Sequence, residues 1–100
     1  MFAALSKCLL VNHITMNILL IDDDAFLRDM YATKFTEEGD TVQVAQDGNA
    51  GLSVLAEQFF DVVIVDMVMP GMSGLDFLEA IPKDGEHKKC KFIVLSNQGE

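Results

Sequence analysis

Asp22 and Asp23 stand side by side after the apolar run Ile18-Leu19-Leu20-Ile21, and Asp66 follows a second such run, Val62-Val63-Ile64-Val65. Ser96 follows a third run, Phe92-Ile93-Val94-Leu95. Three carboxylates gathered without Lys or Arg repel one another, so at least one stays protonated unless a cation intervenes. A hard divalent ion removes that conflict, and Mg²⁺ favours a few carboxylates together with waters and a phosphate oxygen. An aspartate neutralised in this way acts as a nucleophile toward a phosphoryl group and yields an aspartyl phosphate. A hydroxyl such as that of Ser96 would then donate a hydrogen bond to the transferred group.

Taken alone, Asp22-Asp23-Asp24 also reads as a solvated turn that caps a helix, because Asp is common at N-caps. Asp66 at a second strand end turns the balance toward a metal site, with Asp24 the one read as a cap. Ser96 alone says little, since serine after a strand is an ordinary turn residue. Its weight comes from sharing a register with the other strand ends.

The elements that must position these residues emerge from hydrophobic periodicity. Ile18–Ile21 is a continuous apolar run, expected of a strand buried on both faces. Leu27, Met30, Tyr31, Lys34 and Phe35 give a helix over 25–38, capped by Asp24 and closed by Gly39. Val42 and Val44 alternate in a strand over Thr41–Ala45, ended by the turn signal Asp47-Gly48. Leu52, Leu55, Ala56 and Phe59 recur at helical spacing. Phe60–Val65 is a third strand, and a loop with Pro70, Gly71 and Gly74 comes after it. Leu75, Leu78 and Ile81 then mark a third helix stopped by Pro82, and Phe92–Leu95 is a fourth strand. This β-α-β-α-β-α-β order specifies an α/β fold with a parallel sheet and right-handed crossovers. Ligands of such sheets sit beyond the carboxyl ends of the strands, where Asp22, Asp23, Asp66 and Ser96 all fall.

Composition narrows the function classes. The chain has 100 residues, half of them hydrophobic, with 7 Lys+Arg against 16 Asp+Glu. A single folded acidic domain is expected. The formal net charge of -9 argues against nucleic-acid binding by this chain, because phosphate backbones need clustered cations. The one basic stretch, His87 to Lys91, is short. Cys8 and Cys90 are too few for a disulfide framework or a zinc site and read as reduced thiols in a cytoplasmic protein. His13 and His87 lack metal-ligand spacing and read as surface residues. No apolar run is long enough to span a membrane. Residues 1–15 stand outside the strand-helix alternation of the remaining chain and lack the cleavage site of a signal peptide. They read as an N-terminal extension, with a short helix through Phe2, Leu5 and Leu9 or a loose tail, and Met16 as an alternative start. Met67, Met69 and Met72 read either as packing under the loop or as an adaptable docking surface.

Three blocks carry a family resemblance: Ile18-Leu-Leu-Ile-Asp-Asp-Asp24, Asp61-Val-Val-Ile-Val-Asp-Met-Val-Met-Pro-Gly-Met-Ser-Gly-Leu75, and Phe92-Ile-Val-Leu-Ser96. In order and spacing they resemble the receiver domains of two-component response regulators, and the likeness runs from Met16 to Glu100. The middle block is the most specific. The resemblance implies a flavodoxin-like (CheY-like) doubly wound parallel sheet. It implies that Asp22 and Asp23 are the acidic pair that binds Mg²⁺, and that Asp66 is both metal ligand and phosphoacceptor. It adds the backbone carbonyl of Val68 to the metal site and makes Ser96 the switch hydroxyl. The phosphoryl group would come from a histidine kinase, a phosphotransfer protein or a small phosphodonor, with no reaction catalysed beyond the domain's own phosphorylation.

The sequence departs from the family pattern in two ways. Ser73 stands where Asp is common, and nothing after Glu100 supplies the family's fourth helix, fifth strand with its lysine, and fifth helix. Residues 16–100 therefore read as a receiver domain cut short, with the fourth strand an apolar edge and part of the sheet uncovered. Two other readings remain open here. One is a protein-interaction module that works without phosphorylation. The other is an aspartate-nucleophile phosphohydrolase, although those enzymes carry the nucleophile at the first strand, commonly as Asp-x-Asp.

Overall fold

The computed structural model describes residues 15–83 and 89–95. Strands and helices alternate as β1 (Asn17–Ile21), α1 (Ala25–Glu37), β2 (Thr41–Ala45), α2 (Gly48–Glu57), β3 (Val62–Asp66), α3 (Gly74–Glu79) and β4 (Lys91–Leu95). The four strands form one sheet in the order β2-β1-β3-β4, and every neighbouring pair is parallel. That order is the flavodoxin-like one, and its switch point lies between β1 and β3.

Helices pack on both faces of the sheet over β1 and β3, which explains the unbroken apolar runs of those strands. Leu19, Ile21, Val63 and Val65 point to one face, where they pack with Leu55 of α2, Phe77 of α3, and Ile81. Ile18, Leu20 and Ile64 point to the other, under Tyr31, Ala32 and Phe35 of α1. Phe77 is fully buried, a contribution of roughly 1.5–3 kcal/mol for a large apolar side chain.

Each helix starts on a polar cap. Asp24 accepts hydrogen bonds from the Phe26 and Leu27 amides, and Asp47 accepts one from Ala50. Ser73 and Asp76 form a reciprocal capping box, so the serine expected to be a mild departure is itself a good helix start. Gly39 closes α1 with a φ of 98°, a conformation that glycine adopts without penalty.

Several boundaries move from their expected places. Asp47-Gly48 does not form a free turn but opens α2, so that helix ends at Glu57 and Phe59 falls beyond it. β3 begins at Val62, while Phe60 is buried just before it. Ile81 is buried past the end of α3. Met30 faces solvent, because α1 covers the sheet through Tyr31, Ala32 and Phe35. Among the described residues β4 is an edge strand, with Ile93 46% exposed, as the uncovered-edge expectation requires. The expectations for residues 1–14, among them Cys8, His13 and the Phe2-Leu5-Leu9 helix, and those for His87 and Ser96 lie outside the described residues. No helix among the described residues is long and apolar enough to cross a membrane.

Candidate functional site

The β1–β3 register pairs Ile21 with Val65, so the chain leaves both strands at the same level of the sheet. Asp22 and Asp66 come next on each strand, beside the switch point. One carboxylate oxygen from each of Asp22, Asp23 and Asp66 lies within 4.8 Å of the others. The structure thus gathers the three aspartates that the sequence singled out. Asp24 stays out of the group and serves as the cap of α1.

Asp22 is held on three sides and is 2% exposed. Its amide donates to the Ala45 carbonyl of β2 at 3.1 Å. Its Oδ1 accepts from the Asp24 amide at 2.9 Å, and its backbone carbonyl accepts from Arg28 Nη1 at 2.9 Å. Asp23, by contrast, is exposed.

Asp66 ends β3 opposite Leu95 of β4, and the Met67 amide continues that pairing by donating to the Leu95 carbonyl at 2.9 Å. The loop after it folds back closely. The Gly74 amide donates to the Met67 carbonyl at 2.9 Å, and a Cβ on Gly74 would lie 2.7 Å from the Asp66 carbonyl oxygen. Only glycine allows α3 to start so near the acceptor strand. Gly71, with a φ of 84°, makes the bend before it. Met69 is buried in the core, and Met72 packs against that core and over Gly48. Those two methionines hold the loop down, which favours packing over an exposed docking surface.

Burial is the main cause that raises the Asp66 pKa above the usual carboxylate value, followed by the negative charge of Asp22 and then Asp23. The backbone N–H groups of Val68 and Met67 pull in the opposite direction without cancelling it. Anionic charge is therefore concentrated where the fold makes it costly. Oxygens on one Mg²⁺ lie about 2.9–4.2 Å apart, given a metal–oxygen bond of about 2.0–2.1 Å. Three carboxylate oxygens within 4.8 Å in an all-oxygen, anionic setting fit such an ion.

Val68 sits two residues past Asp66 in the loop, with its amide acting on the Asp66 carboxylate and its side chain 61% exposed. Ser96 lies outside the described residues and comes directly after Leu95, the register partner of Asp66. Cys90, buried near Asp61, has its thiol pushed up to about 11 by burial and by that carboxylate, as suits a structural, unreactive cysteine. Sequence reasoning missed Arg28 and the full role of Gly74. A cation in the first turn of a helix, where the helix dipole disfavours it, was the signal for Arg28.

The family model described as "Response regulator receiver domain" matches residues 18–100. The chain is 34% identical over 86 residues to a probable chemotaxis protein CheY of Rhizobium etli, a match spanning 85% of this chain and 67% of that protein. It is 31% identical to the two-component response regulator PhoP of Pseudomonas aeruginosa, over 84% of this chain and 36% of that longer protein. Among solved structures, the chemotaxis response regulator CheY4 of Vibrio cholerae superposes with a TM-score of 0.80 at 28% identity, covering 87% of this chain and 72% of that one. The response regulator TrrA of Thermotoga maritima, solved in complex with Mg(2+)-BeF, gives a TM-score of 0.76 at 31% identity, covering 86% and 72%. The shared fold, the matched residues and these relatives establish that the chain belongs to the response regulator receiver domain family.

Proposed function

We propose that this receiver module of two-component signalling takes its phosphoryl group on Asp66. The observation that carries the assignment is the meeting of Asp66 with Asp22 and Asp23 at the carboxyl edge of the sheet. Asp22, Asp23 and Asp66, with the backbone carbonyl of Val68, would hold Mg²⁺. When bound, the ion neutralises the clustered charge and offers positions to phosphate oxygens.

The chain's own residues do the rest. Asp22, fixed through its amide, carbonyl and Oδ1, holds one wall of the site. Burial and the charges of Asp22 and Asp23 raise the Asp66 pKa, so a cation that offsets those charges eases the approach of an anionic phosphoryl group to its carboxylate. A deprotonated Asp66 oxygen then attacks phosphorus. The P–N bond of a partner's phosphohistidine breaks, and the imidazole leaves with a proton from solvent. The Val68 and Met67 amides stay directed at the carboxyl group, and Ser96 supplies the switch hydroxyl. The donor is a histidine kinase or phosphotransfer protein in the cytoplasm, and the domain performs no reaction besides its own phosphorylation.

The test is intact-mass measurement of the chain incubated with a small phosphodonor, with and without Mg²⁺, beside Asp66→Asn. A Mg²⁺-dependent phosphoryl adduct that Asp66→Asn abolishes is expected. An adduct of equal yield on folded Asp66→Asn would contradict the assignment.

A further inference from the structure

Asp23 is the exposed member of the acidic group, and its backbone is shared with the anchored Asp22. The Asp22 carbonyl belongs to the peptide plane that joins the two aspartates. Because the peptide is planar, whatever fixes that carbonyl also fixes where the Asp23 amide and Cα stand, and so narrows the directions open to its side chain. The group that does so is Arg28, whose Nη1 donates to the Asp22 carbonyl at 2.9 Å. Arg28 lies in the first turn of α1, and its own amide donates to the Asp24 carbonyl at 2.9 Å. Its side chain thus reaches back from the helix onto the turn that precedes it.

That placement runs against the helix dipole, which disfavours a cation near an N-terminus, and α1 carries no acidic residue in its first turn. Arg28 is half-buried, so its guanidinium is not simply a solvated surface charge. We infer that Arg28 is a positioning residue for the acidic site, locking the Asp22–Asp23 peptide so that both carboxylates are aimed for a divalent cation. This inference rests on the metal reading of the site.

The direction of the effect separates positioning from charge. A guanidinium near an acidic cluster repels an incoming cation, so by Coulomb's law alone its removal would tighten Mg²⁺ binding. A positioning role has the opposite sign, because loss of a hydrogen-bonding partner behind the ligands typically weakens metal affinity by about 10–100-fold.

Calorimetric titration with Mg²⁺ alone, on the wild-type chain, Arg28→Met and Arg28→Lys, tests the inference. Thermal unfolding in chelator runs beside it. Arg28→Met keeps the aliphatic stem and removes the donor, and it should bind Mg²⁺ at least about 10-fold more weakly. Arg28→Lys keeps a charge and a donor of shorter reach, and it should bind Mg²⁺ more weakly than the wild type but more tightly than Arg28→Met. Where Arg28→Met fails to fold, weaker binding by Arg28→Lys than by the wild type is the deciding result. Variants that fold and bind Mg²⁺ as tightly as the wild type, or more tightly, overturn the role of Arg28 and leave the metal site standing. A wild-type chain that takes up no Mg²⁺ overturns the metal reading itself, and the role of Arg28 with it.

Discussion

Asp66 is a carboxylate kept where its charge is least welcome, 6% exposed and beside two other aspartates. Its raised pKa means that the folded chain binds this proton more tightly than the unfolded chain does, so the carboxylate subtracts from stability as pH rises. The cost is absent below the unfolded value of 3.8 and is fully present above the folded pKa. Asp66→Asn should therefore stabilise the metal-free chain at neutral pH. Denaturant titrations of both proteins in chelator should show their difference shrinking as pH falls toward that unfolded value. A wild type more stable than Asp66→Asn at neutral pH without metal would contradict the electrostatic picture. The three aspartates were legible because each followed an apolar run that had to be a buried parallel strand. Arg28 was not legible in the same way, since nothing in the spacing shows a side chain folding back on the turn before its own helix.

At the scale of elements, order and type were readable because buried strands and half-buried helices have different periods. Boundaries were less readable where one residue serves two ends. Asp47 looked like part of a turn, yet its side chain caps α2, and Gly48 opens that helix with the Met72 sulfur lying where a Cβ would stand. The β3–α3 loop is the element most closely tied to the site. Gly74→Ala should push a methyl group into the Asp66 carbonyl and Met67 Cα, destabilising the fold by roughly 1–3 kcal/mol. It should also slow phosphoryl uptake, which intact-mass time courses would detect. Phe77→Ala, on the same helix but facing the core, should cost more, about 3–5 kcal/mol by denaturant titration. The contrast matters: Phe77→Ala acts through stability, while Gly74→Ala should impair phosphorylation even in the molecules that remain folded.

For the whole molecule, the formal net charge of -9 and the gathered aspartates point the same way, toward a chain stabilised by a small divalent cation. Mg²⁺ at ten times its dissociation constant should add about 1.4 kcal/mol to the unfolding free energy, and chelator should remove it. Thermal unfolding across a Mg²⁺ series checks this, and a midpoint indifferent to Mg²⁺ in the wild type would count against the site. Among the described residues β4 lies at the edge of the sheet, with Ile93 46% exposed.

The proposed function turns on phosphate being carried by Asp66. Borohydride converts an acyl phosphate on aspartate to homoserine, leaving a permanent mark at the acceptor. The chain treated with a small phosphodonor and Mg²⁺, reduced in this way and mapped by peptide mass spectrometry, should carry homoserine at position 66. It should carry none at Asp22 or Asp23, and none anywhere when Mg²⁺ is omitted. Homoserine at another aspartate, with position 66 unmarked, would contradict the assignment.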